Sequence, residues 1–428
     1  MAIRLSPRTV YAGIDPTAPS LHIGHLIPLM CLFHFQLYGH TIIPLIGGAT
    51  GRIGDPSGRS SERQLADIQH VQDNVSSLDR NIHKFFTRTS DYALRRLPNI
   101  PSAPAQLTVL SNLDWHQDFT MLDFLRIVGI HARVNAMISR ESVKARLNSQ
   151  QGISFTEFTY QLLQAYDFYH LHKHHGCSIQ IGGSDQWGNI VTGLELIARL
   201  EDKIATSHEG ALDVFGVTTP LLTTSTGEKF GKSAGNAIWL DSDLTSVFDF
   251  YQYFVKVTDT DVEKYLKMFT LLPLPEIAEI VLTHESQPEK RIAQRHLAAE
   301  VTEMVHGREG LIHAETMTKL LFDSDYCTMQ ADRVIGALKN DPRLVLVDEY
   351  DMFHTPLPKL AASHGLVASN SAARKLMQAR GLYLNNSPVD DVYFTLTRRH
   401  LIDDRMAILR AGKDKLIVLA LNPSARQA

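Results

Sequence analysis

Cysteine is scarce and scattered: Cys31, Cys177 and Cys327 lie far apart in a chain of 428 residues, with no CxxC spacing and no cysteine–histidine pairing. Such usage suggests neither a disulfide framework nor a zinc site, and it favours a reducing compartment. No apolar run approaches the ~20 residues that a bilayer-spanning helix needs, so no membrane association is expected. The start Met1-Ala2-Ile3-Arg4-Leu5 is too short for a signal peptide. Low-complexity tracts and internal repeats are missing too. What is present is an ordinary globular balance, 44% hydrophobic and 21% charged, in a chain long enough for two or three cores. The net charge of -4 does not advertise a nucleic-acid binder, yet it hides an asymmetry. From Thr355 to Ala428 there are 11 Lys and Arg against 5 Asp, a balance of +6 that leaves -10 for the remainder. A basic tail on an acidic body marks a separate polyanion-binding unit.

Hydrophobic patterning divides the chain further. Thr9 to Ile14 reads as a strand, Leu21 to Leu37 as an apolar helix stopped by Gly39, and Thr41 to Ile46 as a second strand running into Gly47-Gly48. This βαβ unit opens a parallel sheet whose loops gather at its carboxyl ends. Leu65, Ile68, Val75, Leu78, Ile82 and Phe85 recur at helical spacing and predict a long amphipathic helix, ended by a Pro-rich loop near Pro98 to Pro104. Phe155 to Tyr169 and Trp187 to Leu200 are helical around a strand from Cys177 to Ile181, so the α/β domain spans residues 1–240. From Thr245 to Phe322 the periodicity is helical throughout, with stops at Pro273, Pro275 and Gly307, which predicts an all-α domain over 241–345. The basic tail, 355–428, reads as a small α+β domain with a helix around Ser371 to Arg380 and β segments from Leu382 onward.

Three constellations carry chemistry. His22-Ile23-Gly24-His25 opens the first crossover helix, where backbone amides face a bound anion and two histidines at i and i+3 can donate to phosphate oxygens. Alone the match is weak, since an isolated histidine is more often structural. Lys229-Phe230-Gly231-Lys232-Ser233 lies in a loop between Gly227 and Gly235, where two lysines can close over a triphosphate; a solvated lysine pair is the bland alternative. Tyr160, Gln164 and Asp167 stand at i, i+4 and i+7, which puts three polar ends on one helical face, as a core stripe would not. Gly54-Asp55-Pro56-Ser57-Gly58 reads on composition as a turn, and Gly182-Gly183-Ser184-Asp185-Gln186 as a strand end suited to close approach of a ligand.

The first two motifs, in this order, resemble the HIGH and KMSKS signatures of class I aminoacyl-tRNA synthetases. With Tyr11-Ala12-Gly13-Ile14-Asp15-Pro16-Thr17, Gly47-Gly48-Ala49-Thr50-Gly51, Gln164-Ala165-Tyr166-Asp167 and Gly182 to Asn189, nearly the whole chain resembles the tyrosyl-tRNA synthetases of the bacterial and organellar type. The resemblance implies a Rossmann-like catalytic domain, an all-α anticodon-binding domain and an S4-like RNA-binding domain. It implies that Tyr11 and Asp167 hydrogen-bond the phenol of L-tyrosine, that Asp55, Tyr160 and Gln164 hold its ammonium group, and that Gln186 lies near its carboxylate. Asp15, Gly24, Gly183 and Asp185 match adenosine and ribose contacts, and Thr17, His22, His25, Lys229 and Lys232 match phosphate contacts, with Ser233 closing the ATP motif. Arg59 and Arg63 match a mobile basic segment. In the tail, Ser371 to Leu376 and Arg380 to Asn385 are similar to the S4-like module, with Arg374, Lys375 and Arg380 as RNA contacts.

The same resemblance implies ATP arriving with Mg2+, no protein-bound metal, tRNA(Tyr) as partner, and a homodimer whose interface uses Phe155 and the region from Phe124 to Val143. The run His170, His172, His174, His175 reads as a helix end favoured by the macrodipole and finished by Gly176, not as a metal tract. Only ten residues precede Tyr11, where family members usually carry a few tens more, so a targeting segment is expected to be missing from this N-terminus. Leu272 to Ile277 and Val305 to Gly310 look closer to the mitochondrial branch, which implies the mitochondrial matrix; a bacterial chain would be cytoplasmic. Two other classes stay open: an intron-splicing cofactor of the same family, and a tryptophan-specific synthetase or small nucleotidyltransferase. The second would have neither the Tyr11 and Asp167 pair nor the S4-like tail.

Overall fold

The computed structural model describes residues 6–57, 67–97, 106–148, 152–201, 213–223, 232–233, 236–322, 326, 329–339, 341–412 and 415–422. They form two units, one from residues up to 246 with 253–305, the other from 247–252 with 306 onward. The first unit begins β1 (Thr9–Ile14), α1 (Leu26–Leu37), β2 (Thr41–Ile46), α2 (Thr50–Ile53), α3 (Ile68–Arg96), β3 (Leu110–Ser111), α4 (Leu113–His116), α5 (Met121–Ile127), α6 (Val134–Ser139) and α7 (Glu141–Leu147). It continues with α8 (Phe155–His175), β4 (Cys177–Gly183), α9 (Trp187–Leu200), β5 (Phe215–Thr219) and a short antiparallel pair, β6 (Lys232–Ser233) and β7 (Asn236–Ala237).

The main sheet runs β3-β2-β1-β4-β5 and every pairing in it is parallel. Val10 to Ala12 and Ile42 to Ile46 are buried without alternation, the signature of strands covered on both faces. The chain builds outward from β1 to β2 and β3, then returns to lay β4 on the other side of β1. That reversal makes a crevice beyond the carboxyl ends of β1 and β4, where open α/β sheets bind ligands.

One helix start differs from the sequence expectation. The α-helix expected from Leu21 begins at Leu26, because His22 caps a 3-10 turn over Ile23–His25 by accepting a hydrogen bond from the Gly24 amide. In α3 the buried stripe is Val71, Leu78, Ile82, Phe85, Phe86 and Ala93; Ile68 is exposed, since it opens the helix directly after the capping Asp67. Leu65 and the Pro-rich loop lie outside the described residues.

The helical region expected after residue 245 is present as α10 (Val247–Val255), α11 (Asp259–Phe269), α12 (Leu274–Ser286) and α13 (Ile292–Phe322), the last broken at Gly307, φ 77°. The first half of α13 joins α3: Arg96 Nη2 donates to Glu300 Oε1 at 2.6 Å and to Glu303 Oε2 at 3.0 Å, and the Tyr92 hydroxyl donates to Glu300. The second unit adds α14 (Ala331–Ala337), β8 (Leu344–Val347), α15 (Glu349–His354), α16 (Leu357–Ser363), α17 (Asn370–Gln378), β9 (Leu382–Leu384), β10 (Ser387–Pro388), β11 (Met406–Ala411) and β12 (Lys415–Leu421). Its sheet order is β10-β9-β11-β12-β8. Strand alternation gives it two cores: Ala407 and Leu409 face Leu360, Ala373 and Met377, while Met406 and Ile408 face Leu320, Val334 and Leu338. Because β8 and Met352 belong to these cores, the fold of the tail starts before Thr355. Among the described residues no helix is long and apolar enough to cross a membrane.

Candidate active site

A cleft of about 340 Å³ occupies the crevice, and it brings together thirteen residues singled out by sequence: Tyr11, Asp15, Thr17, His22, Gly24, His25, Asp55, Tyr160, Gln164, Asp167, Gly183, Asp185 and Gln186. Strand ends and helix starts supply them. Tyr11 comes from β1, and Asp15 and Thr17 from the loop after it. Tyr160, Gln164 and Asp167 share one face of α8, whose start is capped by Ser154 and whose end is closed by Gly176 at φ 61°.

At one end of the cleft the His22 and His25 rings stack with centroids 4.0 Å apart. The Gly24 amide donates to His22 Nδ1 at 3.0 Å, and the His22 amide donates to His25 Nδ1 at 3.1 Å. Since a backbone N–H only donates, both Nδ1 atoms are acceptors and the neutral rings carry their proton on Nε2. The ring of His22 also explains Gly24: a Cβ there would lie 2.7 Å from it.

At the other end Asp167 is almost completely buried and accepts three hydrogen bonds: Asn112 Nδ2 at 3.0 Å on Oδ2, and Trp115 Nε1 and His116 Nε2, each at 2.8 Å, on Oδ1. Beside it the buried Tyr11 hydroxyl has no hydrogen-bond partner among the described residues. Burial, then the charge of Asp167, then Cys177 push the Tyr11 phenol well above the usual tyrosine range, so it keeps its proton. A carboxylate with a free lone pair next to an unpaired buried hydroxyl is a receptor for a group that both donates and accepts, as a phenol does.

Between the two ends lies an acidic middle. The Tyr160 hydroxyl donates to Asp15 Oδ2 at 2.8 Å and Thr50 Oγ1 to Asp15 Oδ1 at 2.7 Å, so Asp15 is engaged on the Tyr160 side of the cleft. Burial, then Asp15 and Asp55, raise the Tyr160 phenol and keep it a donor. Gln186 Nε2 reaches Asp55 Oδ2 at 2.5 Å, and Asn189 Nδ2 holds both Gln164 Oε1 at 2.9 Å and Gln186 Oε1 at 3.2 Å. Gly47 closes over Asp15 so tightly that a Cβ would sit 2.0 Å from its Oδ1.

Thr50, Asn112, Trp115, His116 and Asn189 have no role assigned by sequence. Thr50 and Asn189 stand inside quoted motifs; Asn112 carries only the signal of a polar residue just beyond a parallel strand's carboxyl end. Lys229, Arg59 and Arg63 lie outside the described residues, and of Lys232 and Ser233 only the backbone, in β6, is described. In the second unit Arg374 and Lys375 are exposed on α17, with the Arg374 guanidinium 6.0 Å from the Tyr393 ring centroid. Arg380 follows at φ 53°. No group of three His, Cys, Asp or Glu among the described residues is arranged to hold a metal ion.

The family model for class I tRNA synthetases (W and Y) matches residues 5–323. A mitochondrial tyrosine–tRNA ligase of Saccharomyces cerevisiae is 42% identical over 416 residues, covering 96% of this chain and 82% of that protein. Tyrosine–tRNA ligase 2 of Bacillus cereus is 43% identical over 413 residues, with 96% and 92% covered. Among solved structures, a C-terminally truncated Aspergillus nidulans mitochondrial tyrosyl-tRNA synthetase superposes with a TM-score of 0.67 at 38% identity, over 74% of this chain and 86% of that one.

Proposed function

Because the chain belongs to the class I tRNA synthetases of the tryptophan and tyrosine type and is a tyrosine–tRNA ligase by its relatives, we propose that the cleft divides its work between three groups of residues. The enzyme activates L-tyrosine with ATP and transfers it to tRNA. Tyr11 and Asp167 bind the phenol; Asp55, Tyr160 and Gln164 hold the ammonium, with Asp15 behind Tyr160 and Gln186 toward the carboxylate. His22, His25 and Thr17 face the phosphates of ATP, which arrives as its magnesium complex; Asp15, Gly24, Gly183 and Asp185 face its adenosine.

The substrate carboxylate is ionised near neutral pH and attacks the α-phosphorus without a general base, releasing pyrophosphate. Positioning and charge stabilisation therefore supply the rate. The cleft itself contains Asp15, Asp55, Asp167 and Asp185, which suits an ammonium and opposes a triphosphate. Lys229 and Lys232, with Arg59 and Arg63, are assigned the missing positive charge. A ribose hydroxyl at the RNA terminus, the 2′-hydroxyl first, then attacks the adenylate.

The helical segment 241–345 and the basic residues Arg374, Lys375 and Arg380 are assigned to tRNA(Tyr). A second copy of the chain is assigned to an apolar groove of about 640 Å³ between α4, α5, α6 and the start of α8, lined by Phe119, Phe124, Leu125, Val134 and Phe155. The mitochondrial names of several relatives favour the matrix.

The observation that carries the tyrosine reading is the unpaired Tyr11 hydroxyl beside Asp167. A site built to bind a hydroxyl rejects the analogue lacking it by roughly 10⁴- to 10⁵-fold, a range for which tyrosyl-tRNA synthetase is itself the standard case. Amino-acid-dependent ATP–pyrophosphate exchange is expected to select tyrosine, and Asp167→Ala to erase most of its preference over phenylalanine. A variant that keeps full selectivity would refute the assignment of the phenol.

A further inference from the structure

We infer that His116 is a positioning residue for tyrosine recognition, acting from behind Asp167 and outside the substrate cleft. The inference rests on the reading of Asp167 as the phenol acceptor. His116 ends the short helix α4 directly after Trp115, and its Nε2 lies 2.8 Å from Asp167 Oδ1 in a contact where the two side chains are 7% and 3% exposed. It does not line the tyrosine cleft; it lines the apolar groove on the far side of α8. A carboxylate oxygen can only accept, so the ring must donate through Nε2.

Counting lone pairs shows what this does. A carboxylate offers about four acceptor positions. Trp115 and His116 take both on Oδ1, and Asn112 takes one on Oδ2, so the position left for a substrate hydroxyl is on Oδ2. Without His116, Oδ1 regains an open position that competes with the one on Oδ2, which makes Asp167 a less directed acceptor. Trp115 on Oδ1 and Asn112 on Oδ2 then remain, one donor per oxygen, so a substrate hydroxyl is no longer directed to Oδ2 alone.

The other groups facing Asp167 are Tyr11 from β1 and Tyr160 and Tyr166 from α8, all with phenols held above their usual range first by burial. Of the α8 histidines, His170 stacks on Trp115 with centroids 4.3 Å apart. None of these replaces the imidazole as a donor to Oδ1.

The test is His116→Leu in tyrosine-dependent pyrophosphate exchange, with phenylalanine as competitor. Loss of one hydrogen bond to a charged acceptor should raise KM for tyrosine about tenfold, leave kcat and the KM for ATP unchanged, and lower the tyrosine/phenylalanine ratio by the same factor. His116→Gln, which keeps an N–H donor, should recover most of that loss. In an Asp167→Asn background His116→Leu should have almost no further effect on the ratio, as expected for a residue acting through Asp167; a full additional tenfold loss there would overturn the inference. An unchanged ratio in folded His116→Leu, beside a collapsed ratio in Asp167→Ala, also overturns it and leaves the phenol assignment standing. If Asp167→Ala itself keeps the ratio, the underlying reading fails first. Should His116→Leu not fold, the wild-type protein decides: with ¹⁵N-labelled histidine, the Nε2 resonance missing from His116→Gln should move on adding tyrosine and not phenylalanine. An equal response to both amino acids overturns the positioning role.

Discussion

Lys229 and Lys232 lie between Gly227 and Gly235 in the sequence, with Lys232 opening β6, while the described part of the cleft is rich in carboxylates and holds only histidines to face a triphosphate. Contacts made only as a site closes lower the barrier more than they tighten ground-state ATP. Replacing either lysine by alanine should slow single-turnover adenylate formation on the order of 10²-fold, comparable to losing one preorganised donor. Tyrosine affinity should barely change. Stopped-flow rates against ATP and tyrosine concentration separate the two, and an unchanged maximal rate with weaker ATP binding would make the segment a ground-state clamp. At this scale spacing marked Tyr160, Gln164 and Asp167, the family resemblance marked Tyr11 and Asp55, and the fold brings all five into one cleft. The sequence was silent on Asn112, Trp115 and His116, because residues 51 to 55 positions before Asp167 become its partners only through the fold.

Elements are held in place by a few buried polar joints. Arg146 of α7 is fully buried and donates through Nη2 to Glu157 Oε2 of α8 at 2.9 Å, where Glu157 is 2% exposed. This pair anchors the first turn of the helix that presents Tyr160, Gln164 and Asp167. Removing the carboxylate breaks a buried, charge-assisted hydrogen bond, so Glu157→Gln should destabilise the first unit by about 2 kcal/mol. The double change Arg146→Met with Glu157→Leu should recover most of it. Trp115, Trp187 and Trp239 all lie in the first unit, so denaturation followed by tryptophan fluorescence reads that unit alone. Equal stability of Glu157→Gln and the parent would remove the anchoring role. Helical periodicity located α8 and α3 well, but not the start of α1, where a histidine side chain competes with the helix for the Gly24 amide.

On the scale of the whole chain, charge and apolar surface point to two associations. Substituting Arg374, Lys375 and Arg380 together by glutamine should leave tyrosyl-adenylate formation intact and weaken tRNA binding. Three lost phosphate contacts should flatten the slope of log Kd against log salt by about 2. An unchanged slope would move RNA contact elsewhere. This set tests the tail better than a cut before Thr355, which would strip β8 and Met352 of their core. Phe155 is 67% exposed, and Leu122, Ile130 and Val134 are exposed close by in sequence to the groove it lines. Phe155→Glu should shift the sedimentation equilibrium from dimer to monomer, since a carboxylate in an apolar interface is left without a partner; a monomeric parent would refute the dimer outright.

Sequence by itself determined the opening β1–α1–β2 unit, the α8–β4–α9 order, the parallel α/β character of that region, the basic tail and the polar face of α8. These depend on local periodicity and on residue types within a turn or two of one another. Tertiary structure alone decided which groups meet: that Asp15 is engaged by Thr50 and Tyr160, that Asn112, Trp115 and His116 converge on Asp167, and that β8 joins the tail's sheet. Such contacts span tens of residues. Those around Asp15 and Asp167 arise where the crossover between β1 and β4 gathers distant loops into one crevice, a meeting that no local pattern encodes.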